Sequence, residues 1–174
     1  MSGARTRTSP LDVARAVVAA ALTAGLLSGC GTGDDGVVFG GEWGEVCAPA
    51  APEERHSFGD AITAGEQGLL ITDVRLLEAD DLALEHAFVL PEEGMVGSWA
   101  YPPVDIPGWN QRVNAVGAVL RPGERASLVV GVYRTGAAQG SARALAVEYT
   151  VDGAATERTN TTSMKIPVAA CPDA

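Results

Sequence analysis

The sequence predicts an all-β fold, a β-sandwich of about seven to eight strands, and three observations predict it. From residue 53 onward apolar and polar residues alternate with the period of two that a half-buried strand imposes. Turn residues interrupt that alternation roughly every ten residues. No stretch beyond residue 30 keeps the 3.6-residue apolar period of an amphipathic helix.

Element by element, Leu70, Thr72, Val74 and Leu76 fall on one face of the first strong strand, with Asp73 and Arg75 on the other. Leu82, Leu84, Phe88 and Leu90 share a face around His86. Val113, Ala115 and Val119 precede Arg121-Pro122-Gly123-Glu124, where Pro and Gly suit the central positions of a type II turn. Leu128, Val130 and Val132 resume the alternation, and Gly136–Gly140 breaks it. Leu145, Val147, Tyr149 and Val151 then lead into Asp152-Gly153, a strong hairpin signal because both central residues of a type I′ turn need φ > 0. Met164, Ile166 and Val168 close the pattern just before Cys171.

The 174 residues suffice for one domain plus an appendage. Arg5, Arg7 and Arg15 come before an apolar run, Ala16 to Leu27, and only Asp12 opposes them. The run holds about 12 apolar residues, the length of a signal-peptide core and well short of the roughly 20 that span a bilayer. A buried helix of the fold is the competing reading, but the run is apolar on every face and charged at one end only. Residues 1–29 are therefore expected to be a cleaved export signal. Residues 30–174 keep 9 of the 12 basic and 21 of the 22 acidic side chains, a net charge of −12. A surface that acidic repels phosphate backbones, so no nucleic-acid partner is expected.

Leu27-Ser28-Gly29-Cys30 resembles the lipobox of bacterial lipoproteins, matching it at all four positions. The resemblance implies that Cys30 becomes the new N-terminus, thioether-linked to diacylglycerol on the extracytoplasmic face of the cell membrane. Two acyl chains meet the condition for stable anchoring. The glycine-rich GTGDDG behind Cys30 then reads as a flexible tether. With Cys30 given to lipid, Cys47 and Cys171 remain as an even pair in an oxidising compartment. A bridge between them would close a loop of about 125 residues, worth about 4–5 kcal/mol in the chain-entropy model; a redox or metal pair is the other reading, without CxxC spacing to support it. The expected organisation is a signal peptide (1–29), a lipid-anchored tether and lead-in segment (30–52) and a β-sandwich domain (53–174). Residues 110–170, with their L-x-P-G-E and V-x-Y-x-V-D-G patterns, resemble immunoglobulin-like domains of secreted actinobacterial proteins. That likeness implies a fold, not an activity.

Catalytic patterns are few. His56 and His86 are the only histidines; His86 lies in phase with apolar neighbours, and His56 sits in a charged stretch. No G-x-S-x-G elbow, P-loop or HExxH is present, and the chain has few N and S ligands for zinc. Glu53-Glu54, Asp80-Asp81 and Glu92-Glu93 fall in expected turns, where paired charges keep loops solvated. Met95 and Met164 are too far from each other and from either histidine to form a local copper motif. Asn160-Thr161-Thr162 reads as part of an exposed polar loop. No cofactor, metal site or catalytic residue is expected.

The unusual stretch is WAYPPVDIPGW, Trp99 to Trp109, with two of the three tryptophans, a tyrosine and three prolines. A proline-stiffened loop presenting aromatics loses little entropy on binding, so Trp99, Tyr101 and Trp109 are the candidate binding residues for a protein or glycan partner. The opposing reading is a crossover whose aromatics cap one end of the sandwich. The sequence thus points to a lipid-anchored, non-enzymatic cell-envelope protein acting as a binding module. A small-ligand or metal carrier serving an envelope transporter is the alternative, and a hydrolase a distant third.

Overall fold

The computed structural model describes residues 36–40, 44–51, 54–91, 97–168 and 170–171. The expected signal peptide, Cys30, the tether up to residue 35, the residue-53 boundary, Glu92-Glu93 and Met95 lie outside these residues. Thirteen strands are described: β1 (Val37–Phe39), β2 (Glu45–Cys47), β3 (Arg55–Ala64), β4 (Leu69–Leu77), β5 (Leu82–Leu90), β6 (Gly97–Ala100), β7 (Val113–Asn114), β8 (Val119–Leu120), β9 (Arg125–Arg134), β10 (Gly140–Ala142), β11 (Ala144–Val151), β12 (Ala154–Thr159) and β13 (Ser163–Ile166). Among the described residues the one helical piece is a 3-10 turn, Trp109–Gln111.

The strands form three sheets. The first runs β1-β3-β9-β5-β7, with β6 also on β3; the second runs β12-β11-β4-β8; the third is β10-β13-β2. Pairing is antiparallel except β13 with β2. Phe58, Ile62, Leu82, Val89, Leu128, Val130 and Val132 of the first sheet pack against Ile71, Val74, Leu145, Val147, Tyr149, Met164 and Ile166 of the other two in one buried cluster. The chain is an all-β sandwich, as its alternation and turns predicted.

Both turn assignments hold. Gly123 takes φ 68°, and Glu124 N–H donates to Arg121 O at 2.9 Å. Asp152 (φ 48°) and Gly153 (φ 82°) join Val151 to Ala154 across the β11–β12 hairpin. The disulfide between Cys47 and Cys171 is formed, with Cα atoms 6.0 Å apart at a sequence separation of 124.

Two strands depart from the expected facing, for one reason. In β4 the register slips at Thr72, because Asp73 pairs with Glu148 while Ile71 pairs with Tyr149. The extra residue flips the phase, so Leu69, Ile71 and Val74 point inward while Leu70 and Thr72 are exposed. In β5 Leu84 pairs with Val132 and His86 with Gly131, leaving Glu85 as the extra residue. Leu82 and Leu84 face the main core, whereas His86, Phe88 and Leu90 belong to the opposite face.

Asn160 also departs from expectation. It is buried rather than looped out, at the point where the β11–β12 ladder ends. Its Oδ1 accepts from Leu145 N–H at 2.7 Å, standing in for a strand carbonyl. Its Nδ2 donates to Asp60 Oδ2 on β3 at 2.9 Å, tying two sheets together across the core.

Candidate recognition surface

The Glu85 bulge gives the first sheet a second apolar face. On that face small residues leave room: Ser57 on β3, and Ser127 and Gly131 on β9. The loop from Tyr101 to Arg112 folds across them. A Cβ at Gly131 would come within 2.7 Å of the Tyr101 ring, so the glycine is what lets that ring lie on the sheet. Tyr101 also stacks on His86 at 5.9 Å between centroids. Trp109 meets Phe88 edge-on at 5.5 Å and Tyr101 edge-on at 6.4 Å, geometries that aromatic quadrupoles favour. Leu90, Ile106, Trp109 and Val129 form a second buried cluster, with Phe88, Trp99 and Tyr101 packed against it. The Arg112 guanidinium lies 4.3 Å above the Trp109 ring and donates through Nη1 to Trp109 O at 3.0 Å, a cation–π lid on the cluster.

Of the two readings of the loop, presented or packed, the structure shows packing at Trp109, which is 4 % exposed. Trp99 and Tyr101 are half-buried. The loop does not cap an end of the sandwich either; it covers the outer face of one sheet. The physical reason is area: tryptophan gains most by burial, and the flat patch of Ser and Gly beneath it has no other covering.

Beside this shelf is a polar rim that the sequence did not mark. Arg55 on β3 donates from Nε to Glu85 on β5, across β9, where Tyr133 stands between them. Arg55, Glu85, Tyr133, Arg134 and Thr135 line an open depression of about 580 Å³. The hydrogen bond to Arg55 lowers the Glu85 carboxyl below its ordinary value, and the same bond raises Arg55. Burial pushes the Tyr101 phenol up, and the Glu85 charge adds to it. An aromatic wall with a fixed ion pair offers stacking and charged hydrogen-bond partners together, the combination that protein and glycan recognition uses. Residues 55, 85 and 133 are far apart in sequence, so no local motif marked them.

The other candidates are dispersed. His56 faces the main core of the first sheet, its Nε2 buried without a hydrogen bond and its pKa lowered by burial. His86 stands on the opposite face of the same sheet. Asp80 and Asp81 occupy the β4–β5 turn, and among the described residues no three His, Cys, Asp or Glu side chains cluster to hold a metal. Cys30 lies outside the described residues, while Cys47 and Cys171 pair as stated above.

No protein-family model and no curated protein matches this chain. Among solved structures it is similar to the ASH/PapD-like domain 7 of human CEP192, at 9 % identity over 78 % of this chain and 88 % of that one, with a TM-score of 0.41. It is also similar to the secreted serine protease VesC from Vibrio cholerae, at 9 % identity over 75 % of this chain and 23 % of that one (TM-score 0.38). A family 123 glycoside hydrolase from Clostridium perfringens shows 15 % identity over the same shares, with a TM-score of 0.38.

Proposed function

We propose that this chain is a lipid-anchored protein of the cell envelope whose sandwich serves as a non-catalytic binding module for an extracytoplasmic protein or glycan. The observation that carries the anchor is the cysteine pattern. Cys47 and Cys171 are joined, which leaves Cys30, directly behind Leu27-Ser28-Gly29, as the remaining cysteine. A thiol left over in an exported, disulfide-bonded domain calls for its own chemistry, and acylation supplies it. The recognition role is supported by the open depression of Tyr133 with its Arg55–Glu85 rim, near the half-buried Tyr101, while Trp109 stiffens the loop from beneath.

Intact-mass measurement of protein from producing cells is expected to begin at Cys30 with a diacylglycerol adduct; retention of Met1 overturns the anchor. For the module, a photo-crosslinking phenylalanine analogue at position 133 is expected to trap a discrete partner. Arg55→Ala with Glu85→Ala should weaken trapping severalfold. Folded protein that traps nothing at 133 beyond what a control at the exposed Glu157 traps overturns the recognition role.

A further inference from the structure

We propose that the end of the sandwich carrying Gly36 faces the membrane, and that Leu70, Val119 and Val116 rest on the bilayer at the boundary between headgroups and acyl chains. This rests on the reading of Cys30 as acylated. The described chain starts at Gly36, and its position is fixed. Gly36 O accepts from Gly65 N–H at 2.8 Å, and Gly65 O accepts from Gly123 N–H at 3.0 Å, which ties the lead-in to the β3–β4 and β8–β9 turns. Gly36 also lies against Tyr149: a Cβ there would fall 1.9 Å from the phenol oxygen. Tyr149 pairs with Ile71, and the next residue, Thr150, pairs with Leu70.

Apolar side chains are bare at this same end. Leu70 and Val119 are direct cross-strand partners on the solvent face of the second sheet, 38 % and 69 % exposed. Val116, 56 % exposed, stands in the link from β7 to β8, where Gly117 N–H donates to Ile71 O at 2.9 Å. Scattered exposed valines are ordinary, but a contiguous set beside one turn cluster marks a contact surface. The length of chain ahead of it says what the contact is. Six residue steps separate Cys30 from Gly36, so the acylated sulfur lies within about 20 Å of this end even with the tether fully extended. A patch too small to hold a bilayer by itself is enough to orient a domain whose anchor has already made the encounter intramolecular.

The test uses the full-length acylated protein in vesicles of phosphatidylglycerol and phosphatidylethanolamine doped with a nitroxide-bearing lipid. Val119→Cys and, separately, Ala138→Cys in the loop at the far end each add one thiol for an environment-sensitive fluorophore. The label at 119 is expected to shift to the blue and be quenched several-fold, and the label at 138 to do neither. Intact mass reports the acyl adduct on Cys30 in the same preparations. Acylated protein whose 119 label stays in water, or whose two labels are quenched alike, overturns this surface and leaves the anchor standing. Protein without the adduct overturns the anchor and this proposal with it.

Discussion

Two side chains put the polar chemistry of the interior at issue. Asp60 is 6 % exposed, in phase with Phe58 and Ile62, and its Oδ1 is buried without a hydrogen-bond partner. Burial raises its pKa above the ordinary carboxylate value, against the lowering pull of the Asn160 amide. A raised carboxyl pKa means that the folded state holds its proton more tightly than the unfolded chain does. The group's favourable contribution is thus whole in acid, below the unfolded pKa, and is lost as pH rises through the folded one. Asp60→Asn keeps an acceptor for Asn160 and removes the charge, so it is expected to raise stability at pH 7 by about 1 kcal/mol. The gain should shrink toward zero near pH 3.5. Urea melts at both pH values check it, and a variant less stable than the parent at pH 7 refutes the account. Arg134 is the starker case: 3 % exposed, with all three guanidinium nitrogens buried and without hydrogen bonds. A buried, unmatched guanidinium is costlier than a hydrophobic group of similar length. Arg134→Met is accordingly expected to be more stable, by about 1–3 kcal/mol, and a lowered melting midpoint would show that something in the protein does satisfy the charge.

At the scale of the element, the Tyr101–Arg112 loop depends on one missing methyl group. Gly131→Val places branched carbon where the Tyr101 ring lies, so the ring and the stack on His86 must lift. Val130 and Val132 on either side stay seated in the main core on the opposite face. The variant is expected to fold, lose about 1–3 kcal/mol, and show red-shifted, more quenchable tryptophan emission as Trp109 gains water. Unchanged emission would mean that the loop holds without that contact. The same elements show where sequence reading reached and where it stopped. Turns at Pro122-Gly123 and Asp152-Gly153 were legible because φ > 0 leaves a residue-type signature. The alternation gave the strands, but a bulge at Thr72 or Glu85 leaves no such mark, and each one reversed the facing of half a strand. Asn160 misled for a related reason: its side-chain amide imitates a backbone peptide, so a polar residue that looks like loop works as part of a ladder. The aromatic loop was recognisable as unusual, whereas its covering of a sheet, and the Arg55–Glu85 rim, depend on register between strands distant in sequence.

For the molecule as a whole, the disulfide decides how the two ends of the sandwich chain are held. Cys47 ends β2, whose lateral partner is β13, and the main-chain bonds continue past the strands: Ala48 N–H to Lys165 O at 3.0 Å and Ala50 N–H to Pro167 O. β2 is a three-residue edge strand that buries little, so hydrogen bonds alone hold it weakly. The covalent bridge converts that weak pairing into a closure of nearly the whole domain, and the entropy it removes belongs to the unfolded chain. Replacing both cysteines by serine is therefore expected to cost about 4 kcal/mol, a fall of roughly 12–15 °C in the melting midpoint for a domain of this size. Because the effect acts on the unfolded chain, the folded packing should survive: the buried, blue-shifted emission of Trp109 should match the parent at low temperature, and only the midpoint should move. Calorimetry and fluorescence on the same samples separate the two. A midpoint within a degree or two of the parent would mean that β2 and the segment around Cys171 detach without loss to the sandwich, and that the bridge guards the ends of the chain against local opening without adding to global stability.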